Sequence, residues 1–314
     1  MNYIQTVKGK VSVDEIKYVD SHTHLIAYAT ETLIAKDVDL LLDRVDKLET
    51  DISEFKELGG NTIVEMTTMD YRRDVSKLLE ISSKYDINVI ACSGFNKGAY
   101  NRVYLENADI DEVSNMLVNE LTNGVEGTGI IPGVIKIGTS LNVIEPWEEK
   151  GIRAISRAHK KTGVPIVTHT QGGTMGLEQL EIFHQEGVIS ENIVICHLDQ
   201  LDDYDTHREL LLKGVYLSYD SIAKEKYQTK QRAIDFICKL AKEGLHYQIL
   251  VGSDFARRSG YKGYGGNPGF IGVFKEFKEE LEARLIEEGL EAREIIQCIY
   301  SENPKRAFRI RGKV

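Results

Sequence analysis

The stretch GVIKIGTS, residues 133–140, combines the pattern of a buried β-strand with a lysine in its middle. Apolar residues and glycine flank Lys136 on both sides, as in the strands of a parallel sheet that are covered on both faces. A buried ammonium group costs free energy unless a partner or a change in its charge compensates for the burial. The stretch therefore predicts a buried strand and a special role for Lys136.

Seven further β-rich runs recur along the chain, and stretches with helical spacing of apolar residues lie between them. The eight runs cover residues 17–22, 62–67, 87–93, 133–139, 164–170, 192–197, 214–220 and 248–254. Glycine-containing helix stops such as ELGGN and KTGVP precede several of them. This alternation predicts an α/β fold, a (β/α)8 TIM barrel. The alternative is an open doubly wound sheet, but the first strand ends in SHTHL and lacks a glycine-rich phosphate turn.

The chain shows no internal repeat and no linker, so we assign residues 1–314 to a single barrel domain. Residues 1–16 are expected to form a short hairpin ahead of the barrel. Charged helices are expected to follow Asn267, in FIGVFKEFKEELEARLIEEG and around AREIIQCIYSENPKRAF.

Composition indicates which classes of binding partner are unsuited to the protein and in which cellular compartment it is expected. A net charge of −10 argues against a nucleic-acid or anionic-membrane partner. No export signal or membrane-spanning segment is evident in the sequence. The four cysteines lack CxxC spacing and lie in hydrophobic segments, which indicates reduced core residues of a cytoplasmic protein.

Polar side chains follow several of the predicted strands at the point where each strand ends. The carboxyl ends of parallel barrel strands converge on one face, and side chains two residues apart on a strand share a side. Each of these residues alone has an ordinary structural explanation, such as a helix N-cap. Imidazole and carboxylate are ligands that Zn²⁺ and similar ions prefer, so their joint position predicts a metal site. The candidate ligands are His22, His24, His169, His197 and Asp254.

Lys136 lies on the same predicted face as these ligands. Two neighbouring divalent ions share bridging ligands. A desolvated lysine has a lowered pKa, and its neutral amine can take up CO₂ to form a carbamate, which is an anionic bidentate group. The alternative is an ammonium group that reaches a carboxylate at the mouth of the barrel. We expect the carbamate.

The motifs DSHTHL, GVIKIGTS, VTHTQGGTMGLEQL, VICHLDQLDD and LVGSDFARR resemble the phosphotriesterase-like branch of the amidohydrolase superfamily. The resemblance runs from the first strand to roughly Pro304. It implies two divalent metal ions, Zn²⁺ first and Mn²⁺ or Co²⁺ as alternatives, with carbamylated Lys136 as the bridge between them.

The resemblance also implies a role for each remaining ligand. His22, His24 and Asp254 resemble the ligands of the more buried ion, and His169 and His197 those of the more exposed ion. A hydroxide that bridges the two ions would attack the substrate. Asp254 would take up its proton and act as the catalytic acid and base.

Two stretches, SYDSIAKEKYQ and SDFARRSGYKGYGG, are similar to those of lactonases that act on phosphorylated sugars. Basic residues gather there on the last two loops, where barrels often hold phosphate, although solvated loops are the ordinary explanation for each one. The GYGGNPG run is expected to form a flexible loop over the site. The residues expected to bind the substrate phosphate are Lys224, Lys226, Arg257 and Tyr261.

We therefore expect a binuclear metal lactonase that acts on a small molecule, a phosphorylated sugar lactone. Hydrolysis of a phosphoester, an organophosphate or an acyl-homoserine lactone is the alternative activity, and an apolar pocket would favour it. A non-catalytic metal-binding scaffold is the alternative from another class. The oligomeric state stays open, a homodimer included.

Overall fold

Eight parallel strands surround a central axis in the computed structural model, which describes residues 2–311. Strand β3 is interrupted at Ala91, and its first segment pairs with β2 while its second pairs with β4. The strands are β1 (Tyr18–Thr23), β2 (Gly60–Glu65), β3 (Asn88–Ile90 and Cys92–Gly94), β4 (Val134–Thr139), β5 (Ile166–Thr170), β6 (Ile193–Cys196), β7 (Tyr216–Tyr219) and β8 (Ile249–Val251).

The barrel closes between its last strand and its first. The carbonyl oxygen of His22 accepts hydrogen bonds from the backbone N–H of Ser253 at 3.0 Å and of Asp254 at 2.6 Å. All other neighbours pair as parallel ladders in chain order. The predicted (β/α)8 barrel is confirmed.

Helices pack outside the strands. They are α1 (Glu31–Lys36), α2 (Glu49–Glu57), α3 (Val75–Tyr85), α4 (Ala99–Leu105), α5 (Ile110–Asn123), α6 (Pro146–Thr162), α7 (Gly176–Gln185), α8 (Tyr204–Leu212), α9 (Lys230–Lys242), α10 (Lys278–Glu287), α11 (Ala292–Gln297) and α12 (Asn303–Ala307). Single π-helical turns, Gly272–Phe277 and Cys298–Glu302, precede α10 and α12. The helices predicted after Asn267 are therefore present.

The predicted N-terminal hairpin is also present. Strands Tyr3–Thr6 and Gly9–Ser12 pair antiparallel, and Ile4 packs with residues that fill the barrel interior. A second, short pair of strands, Ala27–Tyr28 and Leu41–Leu42, follows β1.

Strand β4 shows how the barrel separates its core from its site. Ile135 and Ile137 face outward into the layer beneath the helices. Val134 faces inward among the apolar side chains of the barrel interior, and Lys136, two residues on, faces the same way. The inward face therefore changes from apolar to polar towards the carboxyl ends of the strands.

The four cysteines are free and buried, as expected for reduced core residues. Among the described residues, no helix has both the length and the apolar character that a membrane crossing requires.

Gly94 is the position where the β3–β4 pairing leaves least room. Its φ is +97°, and a Cβ there would lie 2.2 Å from the carbonyl oxygen of Lys136. We expect Gly94→Ala to lower the free energy of unfolding by about 3 kcal/mol or more, because it adds a backbone clash to a strained conformation.

Gly187, with φ of +79° and open space around it, provides the matched control. Gly187→Ala should cost only the conformational strain, about 1 kcal/mol. Urea denaturation measures both variants, and equal losses would show that contact with Lys136 is not what requires glycine at position 94.

Candidate metal centre

A cavity of about 1300 Å³ opens at the carboxyl ends of the strands. The structure brings all of the predicted metal ligands to this cavity. They are His22, His24, Lys136, His169, His197 and Asp254. Two of them, His22 and His24, lie two residues apart at the end of β1, whose pairing with β2 shifts register between Asp20 and Thr23.

Asp220, which follows β7, connects two of the histidines. Its Oδ2 lies 3.0 Å from Nδ1 of His22, and its Oδ1 lies 2.6 Å from Nδ1 of His197. A carboxylate only accepts hydrogen bonds, so both histidines donate from Nδ1. Each Nε2 therefore carries the lone pair of its ring, which can bind a cation. Such a contact also fixes the orientation of a ligand ring.

His24 has an equivalent arrangement through Thr67. The Thr67 hydroxyl donates to Glu65, and its oxygen lies 2.9 Å from Nδ1 of His24. The hydroxyl proton is thus engaged, so His24 donates from Nδ1 and keeps a lone pair on Nε2. Like His22 and His197, His24 therefore has an Nε2 lone pair that can bind a cation.

His169, at the end of β5, lies next to His197. Its Nδ1 is 2.8 Å from Nε2 of His197, and its Nε2 is 3.2 Å from Oε1 of Gln171. The backbone oxygen of His169 accepts a hydrogen bond from Gln179 at 3.1 Å. The fourth candidate histidine therefore belongs to the same group.

Burial keeps three of these imidazoles neutral, those of His22, His24 and His169. It lowers the pKa of His22 to about 3 and that of His24 to about 4, and it holds the pKa of His169 well below its usual value. Burial acts to raise the pKa of Asp220, but the adjacent His197 and His22 outweigh it and hold that pKa well below its usual value. The donors are thus in the forms that bind metal.

Asp254 faces the free lone pairs of two histidines. Its Oδ1 lies 3.4 Å from Nε2 of His22 and 3.5 Å from Nε2 of His24. Acceptors that face one another require a cation between or beside them. Ammonium groups serve here, since Lys224 contacts Oδ2 of Asp254 and Lys136 lies 3.4 Å from Nε2 of His22. Positive charge fits this site, and divalent cations match its donors.

Lys136 is almost completely buried, with 2% of its surface exposed. Its Nζ donates to the backbone oxygen of Met66 at 3.2 Å. Within residues 2–311 no carboxylate forms an ion pair with it, so the structure does not show the alternative of an ammonium group paired at the barrel mouth.

The residues predicted to bind the substrate phosphate differ in their position and in their partners. Lys224, Lys226 and Arg257 line the cavity. Lys224 contacts Asp254, and Lys226 is exposed, with its ammonium 4.5 Å from the ring centroid of Tyr227. Arg257 forms ion pairs with Asp37 and Asp39 of the first loop.

The prediction that Tyr261 binds the substrate phosphate is wrong. The side chain is fully buried beneath the site and does not line the cavity. Its hydroxyl donates to the backbone oxygen of His24 at 2.7 Å and lies 3.1 Å from Oγ1 of Thr23. Tyr261 therefore supports the β1 loop that carries His24.

Sequence reasoning missed Asp220 and Lys97. Asp220 is the last residue of a predicted strand, as Asp254 is, so the rule that found the histidines and Asp254 could have found it. Lys97 lines the cavity after β3, and burial lowers its pKa to about 8. The described hydrogen bonds and ion pairs give its ammonium no partner. Lys97 and His169 lie on either side of Gly138, whose added Cβ would be 2.8 and 3.1 Å from theirs.

Comparisons with known proteins match nearly the whole chain. The model of the phosphotriesterase family matches residues 2–308. A crystal structure of a lactonase from Listeria monocytogenes has a TM-score of 0.95 and 34% identity, and the match covers 99% of this chain and 100% of that one.

Two further relatives are similar over most of their length. The structure of the phosphotriesterase homology protein from Escherichia coli, complexed with phosphate in its active site, has a TM-score of 0.87 and 29% identity, covering 94% of this chain and 99% of that one. The phospho-furanose lactonase of Mycoplasmopsis synoviae is 29% identical over 98% of this chain and 91% of its own.

We expect Asp220→Asn to weaken divalent-metal binding by about 10- to 100-fold, because an amide cannot accept from both His22 and His197. Chelator competition with Zn²⁺ measures the change. Asp70→Asn is the matched control, since Asp70 is a buried carboxylate that binds the backbone N–H of Asn96 and no candidate ligand. Unchanged affinity in Asp220→Asn would contradict the role given to this contact.

Proposed function

The chain belongs to the phosphotriesterase family, whose members are metal-dependent hydrolases, and we propose that it is a binuclear metal lactonase for a phosphorylated sugar lactone. The observation that supports this most strongly is the set of imidazoles around Asp254 and Lys136 on the cavity floor. A scaffold protein has no need for such a set at the base of an open cavity.

His22, His24 and Asp254 would hold one ion, and His169 and His197 would hold the second. Lys136 would bridge them as a carbamate, which accords with its burial beside His22. Divalent ions held there would supply a nucleophile from water at neutral pH and a Lewis acid for the lactone carbonyl.

Asp254 is the group that would move the proton. Its carboxylate faces the cavity, and although burial acts to raise its pKa, the charge of Lys224 helps to hold that pKa well below its usual value. Ionised Asp254 can accept a proton from the attacking water and return it to the ring oxygen that leaves as the lactone opens. Asp220 would keep His22 and His197 in orientation throughout.

The proposed negative charge of the substrate rests on the cations around the cavity. Lys97 has no described partner, and the exposed ammonium of Lys226 lies over Tyr227. The phosphate in the Escherichia coli relative and the name of the Mycoplasmopsis synoviae relative point in the same direction. An ammonium without a carboxylate partner attracts an anion more strongly than the already paired Arg257 does.

Metal analysis and a variant pair at position 136 test the metal site. We expect two divalent ions per chain and a carbamate resonance in the carbon NMR spectrum of protein loaded in labelled bicarbonate. Lys136→Met should lower kcat by more than about 100-fold, because loss of a direct ligand should exceed the cost of losing an outer contact.

Lys136→Glu is the matched variant. It supplies a carboxylate in place of the carbamate, so it should retain metal and more activity than Lys136→Met. A free amine in metal-loaded, active wild-type protein would refute the carbamate.

A second pair of variants tests the phosphate. Lys97→Met should reduce kcat/KM for a phosphorylated lactone by about 10- to 100-fold, the effect of one charge-assisted hydrogen bond. The unphosphorylated lactone should be hydrolysed at an almost unchanged rate. Lys226→Met, at the exposed rim, should have a smaller effect because solvent screens its charge.

Kinetics on matched phosphorylated and unphosphorylated lactones give the answer. Equal losses on both substrates in Lys97→Met would assign Lys97 to the fold or to the metal site. A preference of the wild-type enzyme for the unphosphorylated lactone would reject the phosphorylated substrate.

A further inference from the structure

A second cluster of metal-binding residue types lies at the opposite end of the barrel from the cavity. His246 begins the helical turn His246–Gln248 that leads into β8, whereas Asp254 follows the other end of that strand. Glu294 belongs to α11, and Cys298 begins the π-helical turn after it. Ligand atoms of His246, Glu294 and Cys298 all lie within 4.8 Å of one another.

The environment of the His246 ring is unusual. The residue is 7% exposed, and neither Nδ1 nor Nε2 has a hydrogen-bond partner among the described residues. Buried polar groups in native proteins nearly always have partners, and an exception calls for a missing water or ion. Both nitrogens are buried, and the ring lies beside a thiol and a carboxylate.

The cluster is held in place from several sides. The ring of His246 stacks on that of Tyr247, with centroids 4.0 Å apart, and the Tyr247 hydroxyl donates to Oε1 of Glu294 at 2.9 Å. The side chain of Asn303 donates to the backbone oxygen of His246 at 2.8 Å. Residues 294 and 298 are four apart and therefore share one helix face. The potential ligands thus converge without rearrangement of the backbone.

We propose that His246, Glu294 and Cys298 bind one divalent transition-metal ion of intermediate softness, Zn²⁺ above all. Imidazole, thiolate and carboxylate are its ligands, and a water would complete four-coordination. The Cys298 S–H bond breaks as the bond from Sγ to the ion forms, and the proton passes to solvent with no electron transfer. Glu294 is exposed and provides the path of entry.

Of the two buried donors, the imidazole is already in the form that binds metal, whereas the thiol must lose its proton when the ion binds. Burial lowers the pKa of His246, which keeps the imidazole neutral, and burial raises the pKa of Cys298. The guanidinium of Arg306 donates to the backbone oxygen of Tyr247 and lies near both groups, where it favours the thiolate over the thiol. An ion here would join α11 to the start of β8 and stabilise the folded chain, independently of any metal in the cavity.

Titration of the full-length protein with Co²⁺ tests the site. Wild-type protein should bind one more equivalent than Cys298→Ser, and it should show a near-ultraviolet thiolate-to-cobalt charge-transfer band that the variant lacks. Cys238→Ser is the matched control, because Cys238 is a buried thiol outside this cluster, and it should keep both the equivalent and the band.

Glu294→Gln guards against a folding defect, since its side chain is exposed and only one ligand atom changes. It should weaken binding of the additional ion while the band at saturation remains. Equal uptake by wild-type and Cys298→Ser would overturn the proposal. So would a band that survives in Cys298→Ser, because it would come from another thiol such as Cys196 beside His22. Either result leaves the cavity ligands and the proposed lactonase activity untouched.

Discussion

The hydrogen bonds from Ser253 and Asp254 to the backbone oxygen of His22 join the ends of the barrel and determine the geometry of its site. The backbone oxygen of His22 accepts both bonds between the last strand and the first, and His22 and Asp254 are themselves candidate ligands. Gly252 makes the approach possible, because a Cβ at this position would lie 2.8 Å from the backbone nitrogen of His22. Barrel closure and ligand spacing are therefore the same structural constraint.

The polar floor of the cavity is costly to bury, and its hydrogen bonds show how the chain limits that cost. Asp220 accepts from two histidines, and Asp20, also buried, accepts from the backbone and side chain of Ser253 at 3.0 and 2.6 Å. What the floor lacks is positive charge, which Lys136 and Lys224 supply in part. A low-dielectric site with excess acceptors binds cations strongly for the same reason that it is unfavourable without them.

The order of the strands and the ends of most of them could be predicted because buried strands and helix stops leave local patterns. The same holds for the histidines and Asp254, since the fold requires parallel strand ends to meet. The break in β3 at Ala91 and the left-handed conformation of His197, with φ of +66°, depend on tertiary packing and have no such pattern. A local signal predicts position far better than it predicts partners.

The basic loops illustrate that limit. The sequence shows the charge of Arg257 but not that Asp37 and Asp39, about 220 residues earlier, neutralise much of it. It shows Tyr261 in a polar loop, but not that Phe255 and Phe270 enclose its ring, with centroids 5.5 and 6.0 Å away. Lys97 went unnoticed because its significance lies in the lack of a partner for its ammonium among the described residues. Such features appear only when distant segments are brought together.

Lys224 links the two halves of the proposed function. Its ammonium contacts Oδ2 of Asp254, whereas Oδ1 of the same carboxylate lies 3.4 Å from Nε2 of His22 and 3.5 Å from Nε2 of His24. Lys224 also lines the cavity, so in the proposed function the same ammonium would face both the carboxylate that moves the proton and an anionic substrate. A cation that binds Asp254 would compete with Lys224 for the charge of that carboxylate and leave the ammonium more available to an anion. Metal binding and anion binding would then be coupled, and by thermodynamic reciprocity each would change the affinity for the other by the same factor.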